Sequence, residues 1–74
     1  MAYKLRTFKG TVTRFWPEKA YGYVRTDVVR QEAHFHLRDF DHVGGDQIKE
    51  GTRLEFYLSQ RAKGLRAIRC SILK

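Results

Sequence analysis

The feature that most restricts this chain is a period of two in its apolar residues. Leu54, Phe56 and Leu58 alternate with Arg53, Glu55, Tyr57 and Ser59. Successive side chains therefore fall on opposite faces, which is the mark of a half-buried strand and not of a helix. Ile68, Cys70 and Ile72 alternate in the same way with Ala67, Arg69 and Ser71. The short polar stretch 60–64 between the two runs ends in Gly64 and predicts a hairpin.

Upstream, Phe8, Gly10 and Val12 alternate with Thr7, Lys9, Thr11 and Thr13 to give a first strand. Continuing that parity would bury Arg14, so a bulge or an end of pairing is expected between Thr13 and Trp16. Pro17, which has no N–H for a ladder, closes the strand. Segments 21–24 and 33–37 read as two further strands, with loops at 25–32 and 38–51. Five short strands without a helical period predict an all-β barrel or sandwich, and small size favours a barrel, because closure removes the edges.

A chain of 74 residues is one domain, expected here over 1–74, with little room for both a core and a deep catalytic cleft. Its single cysteine, Cys70, cannot form an internal disulfide, so stability must come from packing and a cytoplasmic location is expected. Residues 1–10 lack the apolar run of a signal peptide, and no window approaches the roughly 18 apolar residues of a membrane span. No membrane association is expected.

Charge narrows the function further. The net charge is +7, and it is unevenly placed. Residues 1–17 hold Lys4, Arg6, Lys9 and Arg14 without an acid, and residues 56–74 hold Arg61, Lys63, Arg66, Arg69 and Lys74 without an acid. If folding brings the two basic ends together, one face suits a polyanion, because releasing counterions drives binding.

Tyr21 and Tyr23 are two apart, so both rings point to one side of their strand while Val24 points to the other. His34 and His36 share a side in the next strand, opposite Ala33, Phe35 and Leu37. With Val24, Ala33 and Phe35 in the core, two tyrosines and two histidines lie together outside. Such ring faces are a platform for unpaired bases, and Arg14, Lys19 and Arg25 flank it with charge for phosphates. The competing explanation is that the tyrosines merely cover a neighbouring strand as cross-strand pairs.

The ordered segments 10–15, 18–24 and 34–36, then Glu50-Gly51 and Ala62-Lys63-Gly64, resemble the cold-shock domain over nearly the whole chain, residues 7–73, with 1–6 as an extension. The resemblance implies a five-stranded antiparallel oligonucleotide-binding barrel, monomeric, that binds single-stranded RNA or DNA and acts as an RNA chaperone or as a regulator of transcription or translation. Tyr21 and Tyr23 match the aromatic stackers of the family's first motif, and His34 and His36 match the Phe and His of its second. Phe15 matches an aromatic of the first strand, Thr13 stands where a contacting Lys is usual, and Lys19 matches the motif's Lys. Lys63 and Arg66 from the basic end complete the expected nucleic-acid-binding set.

The chain departs from that pattern at several positions. Arg14 stands where the family has Trp, His34 where it has Phe, Leu37 where Phe is common, and Ala20 where it has Gly. A binding Phe expected near Gly45 is absent, with Phe40 and His42 nearby in sequence. Trp16, two residues late, takes over part of the missing Trp's role if the bulge turns it outward. The expected binder relies more on phosphates and less on stacking than its relatives.

Other chemistries are weaker. His34, His36, His42 and Cys70 are residue types that ligate zinc, but Cys70 shares parity with Ile68 and Ile72, which predicts a core position and no metal. His36 has no nucleophile or orienting carboxylate evident beside it, so neither catalysis, a cofactor nor a small-molecule substrate is expected. The histidines are expected to make binding mildly pH-sensitive. The principal alternative is a small β-barrel adaptor that uses the same exposed aromatic and basic face for a protein partner.

Overall fold

The alternating segments form strands in the computed structural model, which describes residues 6–28 and 30–73. Lys4 and Lys74 lie outside the described residues, as does the extension expected over 1–6 apart from Arg6. The strands are β1 (Phe8–Trp16), β2 (Tyr21–Thr26), β3 (Glu32–His36), β4 (Arg53–Arg61) and β5 (Gly64–Ile72). Two short 3-10 turns, Leu37–Asp39 and Gly45–Gln47, punctuate the long loop between β3 and β4.

The strands close into a barrel in the order β1-β2-β3-β5-β4. Four seams are antiparallel, but β3 and β5 run parallel, with His34 opposite Arg66. The antiparallel expectation is corrected at that seam: β3 joins β5 after a long connection, which permits the parallel sense that a tight hairpin forbids. It is therefore β1 and β5 that flank the β2–β3 sheet.

Inward residues fill the barrel. Val12, Val24, Ala33, Phe35, Leu54, Phe56 and Ala67 are buried, and Phe40 and Ile48 from the long loop and Cys70 from β5 join the same core cluster. Burying side chains of the Val, Leu and Phe class contributes about 1.5–3 kcal/mol each. This core supports the outer face by fixing which side each strand residue occupies.

Two irregularities change the simple parity. In β1 the register slips between Val12 and Arg14, so Thr13 bulges out of the ladder one residue earlier than expected, and pairing continues to Trp16. In β5 the register slips opposite the stretch from Glu55 to Tyr57, where Arg69 adopts φ 50°. That second slip corrects the expectation for Ile68. Ala67 takes the buried position while Ile68 lies half-buried opposite Tyr57, and the parity is restored at Cys70.

Polar ties join the strands outside the core. Arg53 donates to both carboxylate oxygens of Asp27 at 2.9 and 2.7 Å and to Thr11 Oγ1 at 2.9 Å, which joins β4, β1 and the loop after β2. The Arg53 guanidinium holds the Asp27 carboxyl below its ordinary value. Among the described residues no helix is long and apolar enough to cross a membrane.

Candidate nucleic-acid interface

The Thr13 bulge sets up the outer face. It pairs Arg14 with Tyr23, Phe15 with Gly22 and Trp16 with Tyr21, so Arg14 and Trp16 share the tyrosines' side. The bulge is held by the Thr13 hydroxyl, which lies 2.7 Å from Glu32 Oε2 and 3.3 Å from the Tyr23 carbonyl. Its single proton serves one acceptor at a time. Thr13 is thus a brace between β1 and β3.

Gly22 lets the two strands approach. A Cβ there would overlap the Arg14 carbonyl oxygen and come within 3.0 Å of Phe15 Cα. The turn from Trp16 to Tyr21 is tied to the Trp16 carbonyl, which accepts from Lys19 N at 3.0 Å and Ala20 N at 2.9 Å. Ala20 has φ 60°, a left-handed conformation that a glycine adopts without a Cβ penalty. That is a physical reason for the Gly that the resemblance leads one to expect at this position.

The face is a contiguous set of rings. Trp16 lies 5.3 Å from Tyr21 and 6.0 Å from Tyr23, and His34 lies 5.1 Å from Tyr21 and 5.6 Å from Tyr23, measured between centroids. Both flanking rings stand nearly edge-on to Tyr23 and more obliquely to Tyr21. All four side chains are half-buried, which fixes the rings while leaving surface exposed.

The histidines differ. His36 pairs with Tyr21 across the strands and ends β3 in a reciprocal cap. Its Nδ1 accepts from Arg38 N at 3.0 Å, while Asp39 Oδ2 accepts from His36 N at 2.9 Å. Because Nδ1 is an acceptor, the proton of the neutral ring sits on Nε2. His34 is held below the ordinary imidazole value, first by burial and then by the Arg66 charge, so at neutral pH it presents an uncharged ring.

Bases border the rings. Tyr23, Glu32, His34, Arg61, Lys63 and Arg66 line a groove of about 600 Å³ between the platform and the β4–β5 turn. Arg66 is directed partly to Asp39, with Nη2 at 3.2 and 3.3 Å from the two carboxylate oxygens. Arg14 on β1, Lys19 in the turn before β2 and Arg25 on β2 beyond Tyr23 are exposed.

Phe15, half-buried like the four rings, packs on the inner side of β1. Its ring stacks on buried Phe35, with centroids 6.0 Å apart and planes 3° apart, and packs against the core. The bulge that turns Trp16 outward necessarily turns its neighbour Phe15 inward. Phe40 is only 6 % exposed and meets Phe35 edge-on, so it belongs to the core as well. Arg61 was not among the expected residues, although its place in the acid-free basic end was a signal for it. Asp39 and Glu32 carried no sequence signal, because their partners lie on other strands.

Cys70 is buried, and desolvation pushes its thiol up to about 12. Among the described residues no group of three or more His, Cys, Asp or Glu side chains gathers to hold a metal ion.

A closed five-stranded barrel with this outer face defines the oligonucleotide-binding class of fold. The family model described as "'Cold-shock' DNA-binding domain" matches residues 8–72, and the chain belongs to the cold-shock domain family, a non-enzymatic family of nucleic-acid-binding domains. A cold shock-like protein of Aquifex aeolicus (strain VF5) is 28 % identical over 67 residues, covering 90 % of this chain and 96 % of that protein. Among solved structures, drosophila Unr CSD456 is similar in fold, with a TM-score of 0.76 at 21 % identity over 93 % of this chain. The match spans 27 % of that solved chain.

Proposed function

We propose that this chain binds single-stranded RNA or DNA on the outer face of β2 and β3, acting as an RNA chaperone or as a regulator of transcription or translation. The observation that carries this reading is the four-ring set of Trp16, Tyr21, Tyr23 and His34, with Arg61, Lys63 and Arg66 in the groove beside it and Arg14 exposed on β1. Unpaired bases stack on such rings for roughly 1–3 kcal/mol each, whatever their identity, and phosphates pair with the bordering bases. A duplex hides its ring faces inside the stack, so this surface favours strands whose bases are free. His36, Arg14, Lys19, Arg25, Lys63 and Arg66 supply polar and charged contacts around the rings, Thr13 braces the bulge, and Phe15 supports the face from inside. The whole acts as a single monomeric domain in the cytoplasm.

A binding panel of short single-stranded RNA and DNA, with duplex controls, at two salt concentrations tests the reading. Single strands are expected to bind and to quench Trp16 fluorescence. A protein partner that binds this face, with no oligonucleotide binding, would favour the adaptor alternative.

A further inference from the structure

Among the described residues two arginine–carboxylate pairs differ in quality. Arg53 grips Asp27 through two nitrogens, at 2.9 and 2.7 Å, in the parallel fork that gives such pairs their strength. Arg66 meets Asp39 through Nη2 alone, shared between both oxygens at 3.2 and 3.3 Å. Its Nε is buried with no hydrogen-bond partner among the described residues. The Arg66 guanidinium is therefore placed by Asp39 but not saturated by it.

The position of this pair gives it a consequence for binding. Arg66 is opposite His34 in the β3–β5 seam and lines the groove beside Tyr23, Arg61 and Lys63. The Arg66 side chain is 29 % exposed and that of Asp39 only 11 %, so the carboxylate is the more buried partner of the pair. Its opposite charge, at 3.2 Å from Arg66 Nη2, weakens the field that Arg66 would otherwise project into the groove. Asp39 has a second task, accepting the His36 N–H in the cap at 2.9 Å. That task needs an acceptor oxygen and no charge.

We infer that Asp39 is an affinity-setting residue: it screens the Arg66 charge in the groove and so holds nucleic-acid affinity below what the basic residues would otherwise give. This inference rests on the proposed binding of single strands to this face. Removing the charge while keeping an acceptor for His36 N unmasks Arg66 without dismantling the cap.

The test is Asp39→Asn, titrated with short oligo-dT and oligo-U over a range of salt. One additional phosphate contact on a single strand steepens the log–log slope by about 0.7, equivalent to about five-fold tighter binding near 0.1 M salt. Asp39→Gln, an uncharged residue that from this third position commonly reaches back to the backbone N–H of the capping residue, is expected to behave alike and covers the case in which the Asn variant folds poorly. Adding Arg66→Gln to either variant should return the slope towards the wild-type value. Glu55→Gln removes an equal charge beside Thr7 and Lys9 in a different groove, and is expected to change the slope little.

Weaker binding by folded Asp39→Asn and Asp39→Gln, or an unchanged slope, would overturn the inference and leave Asp39 as a purely structural anchor. Wild-type protein that binds no oligonucleotide would overturn the reading beneath it, and this inference with it. The wild-type titration separates the two failures.

Discussion

Trp16 and Tyr21 are direct partners across β1 and β2, and their rings lie 5.3 Å apart with planes inclined at 56°. This contact exists because one residue, Thr13, bulges from β1. Without the bulge Trp16 would face the core and Phe15 the solvent, since a slip of one residue exchanges the faces of a strand. Tyr21→Ala, Tyr23→Ala and Trp16→Ala are each expected to cost about 1–3 kcal/mol of oligonucleotide affinity with the fold retained. Phe15→Ala is expected to lower stability instead, since it removes the ring stacked on Phe35. Isothermal titration of folded variants, beside denaturant unfolding, distinguishes the two kinds of loss.

Gly22→Ala places a methyl group onto the Arg14 carbonyl. Backbone atoms cannot yield as a flexible side chain does, so β1 and β2 must separate under both tyrosines. A loss of about 1–3 kcal/mol is expected from such overpacking. Urea unfolding measures it, and an unchanged midpoint would mean that the close approach is relaxed in solution.

Ala20→Gly is expected to act in the opposite direction. The left-handed conformation at Ala20, φ 60°, costs an L-residue roughly 1–2 kcal/mol, partly offset by the greater chain entropy that glycine loses on folding. A modest rise in Tm should result, with oligonucleotide affinity unchanged or slightly improved.

The alternation of apolar residues and the Tyr and His pairs foretold the barrel and the outward placement of those rings because both rest on a strand's period of two, which is local. Arg14 in particular exposed the β1 bulge, since a charge at a core parity position demands one. Arg69 gave no such warning in β5, as its bulge exposes a residue that ordinary parity would expose anyway. The parallel β3–β5 seam and the Arg66–Asp39 pair were hidden for a different reason: each joins segments far apart in sequence, and the local pattern contains no term for their meeting.

Acid is expected to weaken the fold through His34. Its folded value is lowered, first by burial and then by Arg66, so the unfolded chain takes up a proton before the folded one does. The stabilisation is complete above the ordinary value of 6.5 and is lost as pH falls through the depressed folded value. Binding should run the other way, because a protonated imidazole favours phosphate. Denaturant unfolding at two pH values on either side of that window is expected to show a smaller acid loss in His34→Gln than in wild type. Equal losses, or equal wild-type oligonucleotide affinities on the two sides, would contradict this account.

The central claim is that rings and charge act together on one face. The most direct measurement is Trp16 fluorescence during titration with a short oligo-U strand, repeated across a range of salt. Quenching is expected on binding, with a log–log salt slope near −3, the value for about four phosphates neutralised on a single strand. Binding that leaves Trp16 fluorescence unchanged, or whose affinity is flat with salt, would contradict it.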